Sequence, residues 1–355
     1  MKPLDYSTAP ERVCVMRLSA LGDVCHTLPV INTLRAAWPG TRFTWIIGKP
    51  EAQLIGDVPG IEFLSFDKAA GRLAYRELRR RLAGQRFDLL LHMQMSLRAS
   101  LASRAVHAPV RLGFDRRRAH DFQWLFTNQR IPHVEREHVM DSFFGFARAL
   151  GVTEQRLEWN IPIPDTARAR AKEFIPDGEN ALILSPCANA RLRNWRNWPF
   201  ERYVPVADCA ARELGWRVIV TGGPSETERE AAEIIAAQSH ADIVNLQGKT
   251  SLKELLALIA RARAVITPDS GPVHMATAVG TPVIGLYATT NPDRAGPRLS
   301  QQWRINRYPD AVRKYLGKTV EEVPWGTRVR NPDAMSLISS EEVIATLLRF
   351  AEPKL

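Results

Sequence analysis

Apolar runs and amphipathic helical stretches alternate along the first part of the chain. Strand-like runs, rich in β-branched and other apolar residues, lie at residues 12–18, 42–47, 62–66 and 87–91. Helical spacing of apolar residues follows the first run from Val24 and ends before Pro39 and Gly40. Strands that alternate with helices are typical of a parallel sheet with both faces covered. Residues 1–165 are therefore predicted to form a doubly wound α/β domain.

The same alternation resumes in the second half of the chain. Between residues 119 and 158 the pattern weakens into mixed helix, and residues 161–164 and 175–178 contain the prolines and glycine expected at a domain boundary. Short strands then lie at residues 181–184, 216–220, 242–246, 264–267 and 282–286. We predict a second α/β domain over residues 166–335, followed by a last helix within residues 336–355.

Two helix starts in this second half have the Ser-x-x-Glu spacing of a capping box. The spacing occurs at Ser251 with Glu254 and again at Ser339 with Glu342. In doubly wound domains, ligands bind beyond the carboxyl ends of the strands. The cleft between two such domains is therefore the expected place for substrates.

The charge of the chain favours anionic partners. Its 355 residues contain 48 Lys and Arg against 38 Asp and Glu, a net charge of +10. Residues 72–118 contain twelve arginines and no lysine against three acidic residues, which gives this segment +9. Because the planar guanidinium binds carboxylate and phosphate through two hydrogen bonds, an arginine-rich first domain indicates an anionic ligand there.

Several other classes of protein lack support in the sequence. No apolar run reaches the roughly 18 residues of a membrane-spanning helix, and no secretory signal is evident, so we expect a cytoplasmic protein. The four cysteines form no CxxC pair and are expected to be reduced thiols. His133 and His138 are five residues apart and cannot share one helix face, so we expect solvated or locally hydrogen-bonded histidines and no metal site. Residues 248–250 resemble the end of a P-loop but lack its first glycine.

The first candidate site is the SALGD sequence at residues 19–23, between a predicted strand and helix. Gly22 allows a tight turn or the close approach of a ligand, and Asp23 places a carboxylate at the end of the sheet. Asp23 is a candidate catalytic residue. It could instead only cap a helix that begins at Val24, because aspartate is a favoured N-cap residue.

A second candidate site, in the second domain, is the NWRNWP sequence at residues 194–199. Arg196 could meet an anion there together with free backbone amides. Its alternative is a tryptophan-packed loop with solvated arginines. Residues 222–226 (GGPSE) follow another strand, and the Glu226 carboxylate could bind ribose hydroxyls.

The most informative motif is TPDSGPVH at residues 267–274, again where a strand meets a helix. Ser270 can cap the helix, Gly271 lets a ligand approach the backbone, and amides at such a helix start attract phosphate. Asp269 and His274 flank this turn. A small-residue turn with two polar side chains at the end of a sheet favours a bound ligand over a purely structural role.

In this order, these motifs resemble those of glycosyltransferase family 9, the bacterial lipopolysaccharide heptosyltransferases, and in particular the heptosyltransferase I type. The resemblance covers most of the chain and rests on residues 17–29 (RLSALGDVCHTLP), 196–199 (RNWP), 222–226 (GGPSE), 248–255 (GKTSLKEL) and 269–274 (DSGPVH). Two departures stand out, because arginine replaces the family lysine at position 196 and residues 288–292 (ATTNP) replace a glycine-containing loop.

The resemblance implies a GT-B fold, with two Rossmann-like domains and the last helix packing back toward the first. It implies transfer of heptose from ADP-heptose to the Kdo region of lipid A, with inversion and without a metal or other cofactor. It assigns catalysis to Asp23 and donor binding to Arg196, Glu226, Asp269, Ser270, Gly271 and His274. It places a basic acceptor-side residue at Arg98, and we add Arg117 and Arg118 from the arginine-rich segment.

The implied acceptor carries carboxylates and phosphates and is anchored in the bilayer by its acyl chains. We therefore expect a cytoplasmic enzyme in peripheral contact with the inner face of the inner membrane. Three alternatives stay open at this point: a family relative that adds a later heptose or another sugar, a nucleotide-dependent oxidoreductase, and a nucleic-acid-binding protein. The chain contains no GxGxxG sequence, which disfavours the oxidoreductase. It also offers neither a helix-turn-helix nor a basic strand interleaved with aromatic residues, so we expect no nucleic-acid partner.

Overall fold

The computed structural model describes residues 9–188 and 194–352. The chain divides into two units, Met1–Pro162 and Ile163–Leu355. Each unit contains one six-stranded sheet in which all neighbouring strands are parallel.

The first unit has the strand order of a Rossmann fold. Its strands are β1 (Arg12–Met16), β2 (Arg42–Gly48), β3 (Ile61–Phe66), β4 (Leu89–His92), β5 (Val110–Gly113) and β6 (Gln129–Arg130). They lie in the order β3-β2-β1-β4-β5-β6, so the direction of strand addition reverses between β1 and β4. β1 and β4 are almost wholly buried, which is why both read as continuous apolar runs.

Five α-helices cover this sheet: α1 (Leu21–Ala37), α2 (Lys49–Ile55), α3 (Arg72–Arg81), α4 (Leu97–Ser103) and α5 (Val139–Ala149). Helix α1 contains Pro29, which has no N–H to donate to the carbonyl of Cys25. The indole Nε1 of the buried Trp159 donates to that carbonyl instead, at 2.6 Å. The segment that ends the first unit is thereby fastened to α1.

The first unit departs from the sequence prediction in two respects. Helix α1 begins at Leu21 and not at Val24, so Asp23 is the third helical residue and not an N-cap. Strands β5 and β6 were not predicted, because β5 is only half apolar and β6 has two polar residues, which leaves no hydrophobic period to detect.

The second unit repeats the same strand order. Its strands are β7 (Ala181–Leu184), β8 (Arg217–Val220), β9 (Ile243–Asn245), β10 (Ala264–Pro268), β11 (Val283–Tyr287) and β12 (Ile305–Asn306). They lie in the order β12-β11-β10-β7-β8-β9, with the reversal between β7 and β10. Its helices are α6 (Asp165–Phe174), α7 (Tyr203–Arg212), α8 (Glu226–Gln238), α9 (Leu252–Arg261), α10 (Gly271–Val279), α11 (Pro292–Ala295), α12 (Tyr308–Leu316) and α13 (Ser340–Ala351).

Two of the predicted helix caps are present in the second unit. The Ser251 hydroxyl accepts from the amide of Glu254, whose carboxylate accepts from the Ser251 amide at 2.7 Å, which completes a capping box. Ser339 caps α13 by accepting from the Glu342 amide at 3.2 Å. Helix α13 packs on α7 and β11. The packing of residues 336–355 toward the first domain stays a prediction.

The cysteine thiols are all free, and those of Cys14, Cys25 and Cys187 are buried. Burial raises the pKa of the Cys25 thiol to about 12, so this group stays protonated at neutral pH. Within residues 9–188 and 194–352, the helices are too short or too polar to cross a bilayer.

Candidate functional site

In doubly wound folds, ligands bind at the carboxyl ends of the two strands between which the strand order reverses. Each sheet of this protein has one such place. In the first unit these are the ends of β1 and β4, which lead into residues 17–23 and 93–98. In the second unit they are the ends of β7 and β10, which lead into residues 185–188 and 269–274, with the described residues 194–196 following the first of these.

Asp23 lies at the edge in the first unit, in the first turn of α1. Its Oδ2 accepts from the Ala20 amide at 3.2 Å and forms an ion pair with Arg17. Its Oδ1 has no hydrogen-bond partner among the residues described. The side chain is 34% exposed, so one carboxylate oxygen is anchored while the other keeps its hydrogen-bonding capacity within a partly exposed group. Asp23 therefore stabilises the start of α1, a role related to the helix cap considered from the sequence. Its second carboxylate oxygen remains able to accept a proton.

The anchor of Asp23 is the buried cation of Arg17. Arg17 is 6% exposed, its Nη1 donates to the carbonyl of Met93 at 2.5 Å, and its guanidinium lies 5.0 Å from the centroid of the Phe143 ring. A buried guanidinium needs an anionic partner, because its desolvation is costly. The sequence did not single out Arg17, since its contacts with residues 93 and 143 depend on the tertiary fold.

Gln94 was also missed, although it holds the loop before Asp23. Its Oε1 accepts from the amides of Leu18 and Ser19 at 2.5 and 3.2 Å, and its Nε2 donates to the Ser19 hydroxyl at 3.2 Å. A side chain at the end of β4 thus fixes the turn that follows β1. No local motif marks this role, because the two segments are about 75 residues apart in sequence.

In the second unit, the structure brings together Arg196 and Asp269. Arg196 Nη1 donates to the Asp269 carbonyl at 3.0 Å and lies 3.6 Å from the Asp269 carboxylate, while its Nε donates to Asn194 at 3.2 Å. The two side chains are 19% and 13% exposed. The solvated-arginine alternative for residues 194–199 is therefore wrong for Arg196, which is held at the start of α10.

The start of α10 is an N-terminus without a side-chain cap. Ser270 occupies the N-cap position, but its hydroxyl pairs with the Thr267 hydroxyl at 2.8 Å and does not accept from the helix. The expectation that Ser270 caps α10 is thus corrected, because its hydroxyl is turned toward Thr267, whose own hydroxyl donates to the Ser185 carbonyl at 2.8 Å, and away from the first-turn amides. Gly271 opens the helix and His274 is buried in its first turn. An uncapped helix start beside a guanidinium is suited to an anion.

The loop after β8 presents two carboxylates in different ways. Glu226 is 77% exposed and pairs with Arg229 at 2.5 Å. Glu228, which sequence reasoning missed, turns back into the loop, where its Oε1 accepts from the Gly223 amide at 2.7 Å and its Oε2 accepts from the Ser225 hydroxyl at 2.5 Å. A side chain at position 223 would lie only 3.1 Å from Glu228 Oε2, which gives the glycine there a packing reason. Glu226 is available to a ligand, whereas Glu228 organises the loop.

Three further polar atoms lie buried near the carboxyl ends of the strands in the second sheet. Tyr287 Oη, Thr290 Oγ1 and Asn291 Nδ2 have no hydrogen-bond partner among the residues described. They belong to the end of β11, the neighbour of β10, and burial followed by the nearby Asp269 carboxylate raises the pKa of Tyr287 well above its usual value. A buried polar atom left unpaired costs about 1–3 kcal/mol, so three of them within residues 287–291 favour a bound ligand near this segment. Residues 288–292 differ from the family pattern, and this departure was their only signal in the sequence.

The three predicted acceptor-side arginines differ in availability. Arg98, at the start of α4, is exposed. Arg117 is 73% exposed and its Nη1 contacts Glu135 at 3.3 Å. Arg118 is largely buried and donates to Asp115, Glu137, Ser142 and the carbonyl of Pro132, which leaves one N–H for a ligand. Acceptor binding by the three stays a prediction, and the geometry favours Arg98 and Arg117.

Comparison with known proteins now identifies the family. The family model of glycosyltransferase family 9 (heptosyltransferase) matches residues 75–320. The chain belongs to glycosyltransferase family 9. It is 37% identical over 342 residues to the lipopolysaccharide core heptosyltransferase OpsX of Haemophilus influenzae, with 96% of this chain and 97% of the relative covered. It is 25% identical to lipopolysaccharide heptosyltransferase 1 of Escherichia coli, over 80% of this chain and 90% of that protein.

Solved structures agree with the fold of this family 9 enzyme. A family 9 glycosyl transferase of Veillonella parvula superposes with a TM-score of 0.78 at 26% identity, covering 98% of both chains. The E. coli heptosyltransferase WaaC, solved with ADP, superposes with a TM-score of 0.73 at 21% identity, covering 96% of this chain and 99% of that one. The predicted GT-B class with two Rossmann-like sheets is confirmed.

The two histidines set aside as zinc ligands have local roles in this glycosyltransferase. His133 Nδ1 lies 2.9 Å from the Asp115 carboxylate, and His138 Nδ1 accepts from the Met140 amide at 3.1 Å. His138 is thus locally hydrogen-bonded as predicted, whereas the partner of His133 lies 18 residues away in sequence. The part of the chain that the structure describes contains no group of three or more His, Cys, Asp or Glu side chains that could hold a metal ion.

Proposed function

We propose that this family 9 enzyme transfers a heptosyl group from ADP-heptose to the Kdo region of lipid A, with inversion at the anomeric carbon. The 37% identity to a lipopolysaccharide core heptosyltransferase over nearly the whole of both chains supports this reaction. A structural neighbour of the same fold was solved with ADP-2-deoxy-2-fluoro heptose, which supports the donor. We assign the acceptor to domain 1–165 and the donor to domain 166–335.

The observation that carries the proposal is the contact between Arg196 and Asp269 beside the uncapped start of α10. In the proposed reaction the bond between the anomeric carbon and the diphosphate oxygen breaks, and negative charge accumulates on the departing ADP. Arg196 and the amides around Gly271 would stabilise that charge, since charge-assisted hydrogen bonds to phosphate are strong. Glu226 would accept from the ribose hydroxyls.

Asp23 supplies the base in this proposal. Its open Oδ1 would take the proton of the acceptor hydroxyl while the oxygen of that hydroxyl bonds to the anomeric carbon. The proton then resides on Asp23 until solvent removes it. Arg17 and the Ala20 amide hold the other oxygen, so the carboxylate is oriented before the acceptor arrives. The exposed cations of Arg98 and Arg117 would bind the carboxylates and phosphates of the acceptor, with Arg118 offering its remaining N–H.

Lipid A is held in a bilayer by its acyl chains, so an enzyme acting on it must reach a membrane surface. We place this enzyme in the cytoplasm, in peripheral contact with the inner face of the inner membrane. The exposed arginines of the first unit would be attracted to that anionic surface.

Product analysis with defined substrates tests the proposal. The purified enzyme is incubated with ADP-heptose, or separately with UDP- and GDP-sugars, and with Kdo-lipid A, and products are separated by mass. We expect a mass increase of one heptose with ADP-heptose alone. Absence of that product contradicts the proposal. The second candidate is addition of a later heptose, and it predicts a product only when the acceptor already carries heptose.

A further inference from the structure

Helix α4 and the segment 121–126 lie side by side in the first unit. At one end, the Leu97 amide donates to Asp121 Oδ2 at 3.3 Å. At the other end, Arg111 joins the two elements, because its Nη2 donates to the Ser103 carbonyl at 2.9 Å and its Nε donates to the Phe126 carbonyl at 2.8 Å. The two short elements therefore form one continuous surface.

This surface exposes four large apolar side chains. On α4, Leu97 and Leu101 are 49% and 40% exposed and lie one turn apart on one face. On the neighbouring segment, Phe122 and Leu125 are 58% and 72% exposed. Four such side chains on two adjoining elements make an exposed apolar patch, which we call the apolar strip, and a patch of this kind marks an interaction site.

The strip is presented rigidly. Gln123, between its two most exposed members, is buried and donates to the carbonyls of His92 and Gln94 at 2.7 and 3.2 Å. Phe122 adopts a left-handed backbone with φ of 57°, a conformation that is disfavoured for an aromatic residue. Such outliers persist where surrounding contacts enforce them, and they cluster at functional sites. The exposure of Phe122 is thus imposed by its anchored neighbour.

Three arginines lie on or beside the two elements of the strip, and two acidic side chains near it have partners within the protein. Arg98 and Arg104 are exposed on α4 and at its end, and the exposed Arg116 lies 6.0 Å from the centroid of the Trp124 ring. Asp115 is held by Arg118, and Asp121 accepts from α4. An open cavity of about 500 Å³ adjoins the strip, and its lining includes Arg104, Arg111, Leu125 and Phe126.

From this arrangement we propose that the apolar strip is the surface by which the enzyme docks on a bilayer of anionic lipids. Leu97, Leu101, Phe122 and Leu125 enter the boundary between headgroups and acyl chains, while Arg104 and Arg116 bind headgroup phosphates. Apolar side chains bordered by cations are the chemistry of interfacial membrane binding. A nucleic acid would match the cations but leave the aliphatic side chains in water. The proposal deepens the proposed function, since it rests on an acceptor held in a membrane.

Flotation of the full-length protein with vesicles tests the proposal without any substrate. The vesicles contain phosphatidylethanolamine and phosphatidylglycerol, with phosphatidylcholine vesicles for comparison. We expect binding to the anionic vesicles and a loss of at least about tenfold in the variant carrying Phe122→Ser and Leu125→Ser, because each large apolar side chain withdrawn from water strengthens binding by roughly tenfold. The variant carrying Arg104→Gln and Arg116→Gln should lose roughly fivefold for each cation removed.

A matched control replaces exposed leucines of the second unit, Leu299→Ser with Leu316→Ser, which should bind vesicles like the unaltered chain. Equal vesicle binding after Phe122→Ser and Leu125→Ser overturns the proposal. A second result would also overturn it: the chain forms a dimer, these substitutions dissociate the dimer, and the unaltered chain does not bind vesicles. The strip would then join two copies of the chain. Heptosyl transfer to a water-soluble, deacylated acceptor is measured separately. It fails if the proposed function is wrong and persists in the strip variants if only docking is affected.

Discussion

The two oxygens of Asp23 have different tasks. Oδ2 is bound by Arg17 and by the Ala20 amide, and these contacts fix the carboxylate against the start of α1. Oδ1 has no hydrogen-bond partner among the residues described, and about a third of the side chain (34%) is exposed. An exposed carboxylate would have to be ordered each time an acceptor binds, whereas this one is oriented beforehand, and such preorganisation lowers the barrier of a proton transfer.

Replacing Asp23 tests its proposed role directly. Asp23→Asn keeps an oxygen that can accept from the Ala20 amide but cannot take a proton from a hydroxyl. We expect kcat to fall by about 10²- to 10⁴-fold, the usual contribution of a general base, with the affinity for ADP-heptose retained. Steady-state kinetics and calorimetric titration with the donor measure both quantities. Turnover within about twofold of normal would place the base elsewhere.

At this scale, the sequence indicated residues that belong to local motifs and missed those that act across the fold. Asp23, Arg196 and Asp269 each lie in a short motif after a strand, so their positions at a sheet edge could be predicted. Arg17 begins the family motif at residues 17–29, yet its burial against Met93 could not be predicted from that motif. Gln94 carries no local signal at all, because its partners come from a neighbouring strand.

Helix starts distinguish structural from binding elements in the second unit. Helix α9 begins with a complete capping box, and α13 with a serine cap, so the first-turn amides of these helices are partly satisfied internally. Helix α10 has Ser270 at its N-cap position but lacks such a bond. Because an uncapped start leaves its amides to other partners, α10 is the helix of the three best suited to hold an anion.

Removing the cap of α9 should therefore affect stability alone. Ser251→Ala deletes the oxygen that accepts from the Glu254 amide, and we expect the free energy of unfolding to fall by about 1 kcal/mol. Urea denaturation measures the loss, and donor titration should show unchanged affinity. Ser336→Ala, at an exposed serine, is the control and should change stability by less than about 0.5 kcal/mol. A loss of donor affinity in Ser251→Ala would contradict this division between the helices.

Element prediction succeeded where strands are buried on both faces. The run at residues 181–184 matches β7, because four consecutive apolar residues at a sheet centre leave a clear signal. The outer strands β6 and β12 contain two residues each and were not predicted. Their pairing is set by the neighbouring strand, which sequence periodicity cannot register.

A buried histidine makes the stability of the first unit sensitive to acid. The first unit holds His92 at the end of β4, fully buried. Burial, followed by the charge of Arg111, lowers the pKa of His92 from 6.5 to about 3. In the unfolded chain this imidazole gains a proton below pH 6.5, whereas in the folded unit it stays neutral until about pH 3. Stability is therefore complete above pH 6.5 and is lost as the pH falls toward 3.

Between pH 7.5 and pH 5, His92 should lower the free energy of unfolding by about 2 kcal/mol. Urea denaturation at the two pH values measures the total change, and the variant His92→Gln isolates this residue. We expect the variant to lose about 2 kcal/mol less than the unaltered chain over the same interval. His107→Gln removes an exposed histidine and should behave like the unaltered chain. Equal losses in all three proteins would mean that His92 is protonated in the folded state.

At the scale of the whole chain, the fold class followed from the alternation of strands and helices, and its confirmation rests on two sheets of identical order. The reaction did not follow from that alternation, because Rossmann-like sheets serve many activities. It was the ordered set of motifs at the sheet edges that indicated a family. Their side-chain geometry then separated residues open to ligands, such as Glu226, from those that build the loops, such as Glu228.

The bond between Trp159 and the carbonyl of Cys25 has a consequence for how this sequence can drift over generations. Pro29 and Trp159 lie 130 positions apart, yet Trp159 supplies the hydrogen bond to the Cys25 carbonyl that Pro29 cannot. A lineage that lost the tryptophan first would carry an orphaned carbonyl within the helix that bears Asp23. A lineage that first exchanged the proline for a residue with an N–H could lose the tryptophan at less cost. Descendants of this chain should therefore inherit the pair together or shed it in that order.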